Sequence, residues 1–275
     1  MHLKIIKKNQ GRIDDFNMLN FKFFSFKMGI LSFIYISLIL ISNALLANDG
    51  INNSLFDFIA SPNGGGSFSL SILILGILPV LVLIFPVIID RIDSDMVIIR
   101  IKHKRKLVNN HFFFAFIISL IIVGILVLIG IVASLIHTGH LSNLWGTKNG
   151  SIYFYLEDKQ YFPLYIPYVT TFKVWMYLIL SRILAIYFMS SCIIFFKSIL
   201  SKNIYVLFIT FLLLATDSLF SIFTNRFSFF IEVVRIKMDT WLSPEDQLFS
   251  ILYLLTGIII FYLLSIKMYS KKEFY

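Results

Sequence analysis

Few residues of this chain could do chemistry, and two of them stand where charge is costly. Arg182 and Asp217 lie inside long apolar runs. An ionised side chain in hydrocarbon faces a partner or a wet cavity. Arg182 is about eight residues into its run and Asp217 about six from the end of the next, so both lie roughly 10 Å deep. The two runs are consecutive and antiparallel, so the depths match and the sequence predicts a buried Arg182–Asp217 ion pair. Such a pair could fix helix packing or line a translocation path, and the sequence leaves both open.

Other reactive residues carry weaker signals. His137 and His140, in H-T-G-H, share a helical face, but two histidines without a third ligand do not make a metal site. Near the end of an apolar run they read as amphipathic caps. Ser61–Gly66, SPNGGG, is glycine-rich, yet phosphate cradling needs a bracketing strand and helix with a Lys-Ser or Lys-Thr close behind. Neither is present, so it reads as a turn. The lone Cys192 lies in an apolar run and reads as a small buried hydrophobe, with no intrachain disulfide open to it. The G-x-x-x-x-G-K-[ST], H-E-x-x-H and G-x-S-x-G patterns are absent. The paired glutamates and histidines of intramembrane proteases are absent too. The expectation is a chain that is not an enzyme, with no catalytic residue, metal or cofactor of its own.

The largest internal polar island is Ile89–His111, IDRIDSDMVIIRIKHKRKLVNNH. Three acids, Asp90, Asp93 and Asp95, lead into an apolar centre, Met96, Val97, Ile98 and Ile99. A basic cluster follows: Arg100, Lys102, Lys104, Arg105 and Lys106. A short helix with an apolar centre and charged flanks suits docking on another chain. The alternative is a solvated loop whose cations only set topology. The basic half reads better as a lipid-facing anchor for the next span.

These residues are carried by a strongly apolar chain. Of 275 residues, 58% are hydrophobic, and mean hydropathy is +0.86. Apolar runs of about 18 or more residues recur, the signature of bilayer-spanning helices. The sequence predicts an all-α integral membrane protein, a single transmembrane domain over 1–275 with spans at about 29–47, 68–89, 112–136, 174–196, 204–223 and 248–266. Pro79 and Pro86 should kink the second. Ile13, Phe16, Leu19, Phe23 and Phe26 recur at helical spacing, so an interfacial helix over 13–28 is expected before the first span. A basic start and an apolar run also describe a signal peptide, but cleavage after Ala47 would put Leu45 where a small residue is wanted.

Charge sets the sidedness. Of the 24 basic residues, 17 fall to one side, on the N-terminal tail, loop 90–111, the 197–202 turn and the C-terminal tail, against six on the other, with Arg182 inside a span. The excess places both termini in the cytoplasm. Segments 48–67, 137–173 and 224–247 then lie outside. An interfacial helix pair with a turn near Ser243-Pro244 is expected in the last. The net charge of +9 reads as basic loops on anionic lipid and not as nucleic-acid binding. Heavy use of Phe, Ile, Lys and Asn suggests an AT-rich coding sequence of a low-GC bacterium, so the expected location is a bacterial cytoplasmic membrane, crossed several times.

Taken together, the chain resembles a permease subunit of the type-2 ABC exporter class, closest to small bacterial permeases of antimicrobial-peptide or lantibiotic export and immunity. The likeness is carried by the amphipathic lead-in, the six spans, the acidic-to-basic loop, the stretch VIIRIKHKRKLVNN (Val97–Asn110), the charged segment 226–247 and the basic tail around Lys271. It implies a coupling helix at about Asp90–Ile99 that docks on an ATPase. Many members carry a Glu followed by Gly there, whereas this chain has three Asp and no Gly. The resemblance further implies a second permease subunit, as a homo- or heterodimer, and separate ABC ATPase subunits that bind ATP and Mg. The cargo would be an amphipathic peptide, lipid or drug-like molecule. The competing reading is a non-transporting accessory, immunity or sensor protein.

Overall fold

A computed structural model describes residues 29–30, 32–41, 51–62, 64–93, 104–200, 202–224 and 228–271. The expected interfacial helix at 13–28, the end of the first predicted span and the tail after 271 lie outside the described residues. Every regular element among the described residues is helical. The chain divides into two compact units, Met1–Leu38 and Ile39–Tyr275. Of the first, the described residues are helical.

We number the helices α1 (Ser32–Ile41), α2 (Leu55–Ala60), α3 (Leu78–Ile92), α4 (Lys104–Thr138), α5 (Ser151–Tyr155), α6 (Phe162–Tyr165), α7 (Thr171–Ile199), α8 (Asn203–Thr224), α9 (Ile231–Val234) and α10 (Pro244–Lys271). Among the described residues, four helical stretches are long and apolar enough to cross a membrane: Ile72–Arg91, α4, α7 and α10. That marks a multi-pass membrane protein. The apolar parts of α1 and α8, Ser32–Ile41 and Asn203–Leu213, are shorter.

Local chemistry explains where the helices start and stop. A π-helical turn, Ile72–Ile77, precedes α3, and the Leu78 N–H reaches back to the Leu73 carbonyl. Pro79 follows in the first turn of α3, where a missing N–H costs least. The chain thus absorbs Pro79 by restarting the helix, while Pro86 remains inside it. α4 begins earlier than expected, because the basic run Lys104–Lys106 is itself helical. It ends where Gly139 takes φ +72°, a left-handed conformation that favours glycine. α10 starts at Pro244, with Glu245 and Asp246 at the positive end of its dipole. The expected helix pair in 226–247 is instead the single turn α9 and a short 3-10 turn, Asp239–Trp241, ahead of α10. Ser243-Pro244 does not separate two interfacial helices; the proline is better used opening a long one.

α7 is the most buried of the four long helices, and α10 the least. α7 packs against α3, α4, α8 and α10. Its contact with α10 is close because residue 257 is glycine. A Cβ there would overlap the ring of Phe188. That ring cannot step aside, since Phe229, Phe230 and Phe261 all lie within 5.5 Å of it, centroid to centroid. Gly257→Val should therefore cost about 1–3 kcal/mol by overpacking. A thermal melt of the detergent-solubilised protein reads this as a lowered Tm; an unchanged Tm would contradict the close approach.

Candidate functional site

Asp217, on α8, is buried, and its carboxylate is taken up by backbone. One oxygen accepts from the N–H groups of Phe230 at 3.0 Å and Ile231 at 2.8 Å and from the Ser228 hydroxyl at 3.0 Å. The other accepts from the Phe229 N–H. These donors lie at the N-terminal end of α9, where an anion meets unpaired N–H groups and the positive end of the peptide dipoles. Arg182, on α7, approaches the opposite end. Its Nη1 donates to the Val234 carbonyl at 3.1 Å, and its guanidinium carbon lies 5.9 Å from the centre of the Phe68 ring. The side chain is 2% exposed, and its Nε has no hydrogen-bond partner among the described residues.

The expected direct Arg182–Asp217 ion pair is therefore not formed among the described residues. The two charges do share one element, but they grip its two ends. Three backbone N–H groups and a hydroxyl outcompeted the cation, because four donors satisfy a buried carboxylate more completely than one side chain could.

A cavity of about 760 Å³ opens beside Asp217, lined also by Glu232, Arg235, Lys237, Asp246, Phe249 and Tyr253. Glu232 holds Arg235 at 3.0 Å and also pairs with Lys237. The Tyr253 hydroxyl donates to the Phe229 carbonyl at 2.9 Å. This lining mixes both signs of charge with aromatic surface.

At the other end of the helices, the first two acids of the polar island are already engaged. Asp93 lies 3.0 Å from His111 Nε2 and accepts from the Tyr269 hydroxyl at 2.8 Å. Asp90 pairs with Lys197 at 2.7 Å and accepts from the Asn203 side chain at 3.0 Å. Lys197 also donates to Asn203 at 2.6 Å. Together these bonds tie α3, or the residue just after it, to α4, α7, α8 and α10. Asp90 and Asp93 thus act as a structural clasp. Asp95, Met96, Val97, Ile98, Ile99, Arg100 and Lys102 lie outside the described residues. Lys104 donates to the Ser270 carbonyl at 3.3 Å, whereas Arg105 and Lys106 are exposed.

Asp57 is a residue the sequence reading passed over. It is fully buried on α2, where it accepts from Trp145 Nε1 at 2.7 Å, the Ser151 hydroxyl, and the N–H groups of Ser54 at 2.9 Å and Asn53 at 3.1 Å. Phe56, Trp145, Trp241 and Tyr177 pack beside it in tilted and edge-to-face contacts, each ring centre within 5.4 Å of the next. The available signal was Ser54 three residues before an acid, the spacing of a capping box. The two histidines part company: His137 stacks on Phe58 at 5.4 Å, and His140 meets the Ser142 hydroxyl at 2.8 Å. Among the described residues, no group of three or more His, Cys, Asp or Glu is placed to hold a metal.

No family model matches the chain, and neither does any curated protein or solved structure.

Two outcomes follow from this geometry. Swapping the charges, Arg182→Asp with Asp217→Arg, would keep two opposite charges but lose the grip on both ends of α9. The double variant should melt no higher than Asp217→Ala alone, itself about 2–4 kcal/mol less stable than the native chain because it strands buried N–H groups. Asp57 gives the second. Burial raises its pKa above the ordinary 3.8, outweighing the bonds it accepts from Ser151, Trp145, Ser54 and Asn53. The folded protein then holds this proton more tightly than the unfolded chain. That contribution is complete below the ordinary value and is lost as pH rises through the folded one. Asp57→Asn should flatten the corresponding rise in Tm on acidification from neutral toward about pH 4.

Proposed function

We propose that this chain is the transmembrane permease subunit of an ATP-driven exporter of the ABC type. It has six spans, both termini in the cytoplasm of a bacterium, and a separate ATPase bound at loop 90–111. The observation that carries this reading is the clasp at the root of that loop. Asp90 and Asp93 bond to side chains on the four helices α4, α7, α8 and α10. A push on the loop from an ATPase would reach all of them at once. The mixed-charge cavity of about 760 Å³ at the far end supports an amphipathic peptide, lipid or drug-like cargo. ATP and Mg belong to the partner, and a second permease subunit completes the assembly.

The clasp changes which residues test the idea. Reversing Asp90 or Asp93 would break packing and coupling together. Asp95 and Ile98 separate the two. Asp95→Lys with Ile98→Ser should leave the protein inserted and thermally stable. The copurified ATPase should lose the part of its ATP hydrolysis that depends on the permease, as measured in liposomes. Asp93→Asn should instead lower the Tm. Failure of any ATPase to copurify in mild detergent would favour the accessory, immunity or sensor reading.

A further inference from the structure

A second cavity, of about 360 Å³, lies on the side of the molecule between α4 and α10. Its outer end is polar, where the Tyr262 hydroxyl donates to Asn109 Oδ1 at 2.7 Å. Its inner part is apolar and aromatic. The Phe112 ring stands edge-on to Tyr262 at 5.1 Å and to Tyr187 at 6.3 Å, which forms the floor. Phe113 and Ile259 are 64% and 56% exposed along the walls, too open for a closed core.

The position of this groove along α4 says what fits it. α4 has 35 residues, about 50 Å at 1.5 Å per residue, against a hydrocarbon core of about 30 Å. Its apolar stretch starts at Phe112, so the turns before it stand at the level of the headgroups. Arg105 precedes Asn109 by one turn and Phe112 by two, and shares their face of the helix. Lys106 flanks it. Both cations are exposed, and neither has an ion pair or hydrogen bond among the described residues. Lys104, by contrast, is tied back to α10. Two exposed cations, without a partner among the described residues, thus stand about one turn ahead of a slot that passes from polar to apolar towards the bilayer centre. A second copy of the chain would bring a like basic cluster to the same mouth, and the charges would repel.

We propose that this groove binds one anionic glycerophospholipid, its phosphate on Arg105 and Lys106 and an acyl chain along Phe112, Phe113, Ile258 and Ile259. The Asn109–Tyr262 pair meets the ester-linked backbone between them. The site does not depend on the transport reading; it requires only that the chain sit in a bilayer. It goes beyond general attraction to an anionic leaflet, because the groove gives the lipid a fixed place and a stoichiometry of one.

The experiment is native mass spectrometry of the full chain in mild detergent, titrated with dioleoylphosphatidylglycerol or with dioleoylphosphatidylcholine. The chains are identical, so only the headgroup differs. Two cations at the surface correspond to a preference of about thirtyfold for the first retained phosphatidylglycerol. Arg105→Gln with Lys106→Gln should reduce that preference to nearly none. Ile259→Trp, which fills the groove and leaves the cations in place, should weaken the first adduct of either lipid at least about fivefold. All substituted side chains are exposed, so folding is checked by an unchanged helix signal and Tm in detergent alone. Equal retention of the two lipids by the native chain would overturn the proposal. Unchanged binding by Ile259→Trp would also overturn it, leaving only surface charge. A dimer that dissociates in Ile259→Trp without loss of lipid would assign the groove to a second copy.

Discussion

A charge withdrawn from water must be compensated by something, and at Asp217 the compensation comes from peptide groups. Its carboxylate holds the first N–H groups of α9, and Arg182 holds the carbonyl at the far end of the same turn. Much of this end of the protein follows from that choice. α9 has four residues, too few to be stable alone, since helix nucleation is costly. Held at both ends, it becomes a fixed strut between α7 and α8. Phe230, carried into place by the same backbone, then packs on Phe188, and Phe188 in turn sets how near α10 can come.

Three other acids are bonded in the same way with different partners: Asp57 is buried, Asp93 part-buried and Asp90 exposed. Asp57 is compensated by a tryptophan, a serine and backbone N–H groups, Asp93 by a histidine and a tyrosine, Asp90 by a lysine and an asparagine. In each case at least one partner comes from a segment far away in the chain. The carboxylates therefore fasten together helices that apolar contact alone would hold loosely, because lipid solvates an apolar helix face about as well as another helix does.

Four of the six spans expected from the sequence fall on the four long apolar helices among the described residues, because the length of an apolar run is a one-dimensional property. The start of α4 was misplaced by reading Lys104–Lys106 as loop; charge marks where hydrocarbon ends and says little about where a helix does. Arg182 and Asp217 were legible as buried ions, since an ionisable letter in an apolar run stands out. Their partners were not, because a backbone N–H carries no letter, and every residue but proline offers one. Asp57 is inconspicuous for the opposite reason: it lies in a stretch that reads as an outside loop, where an acid is unremarkable until Trp145 and Ser151 arrive from beyond the next two long helices. Asp90 and Asp93 were grouped with Asp95 by adjacency. In space they belong to the helix ends.

The knot around Asp57 also bears on how the molecule can move. It joins the approach to α3 with the chain that leaves α4, and through Trp241 it touches the approach to α10. Opening it would strand four donors in an apolar setting simultaneously. The Asp93 clasp is built from side chains alone, which can trade one partner for another or for water. Unequal fastening at two ends makes a lever, with the tryptophan-rich end as its fulcrum. Any tilting of these helices then has its largest amplitude where the basic residues are.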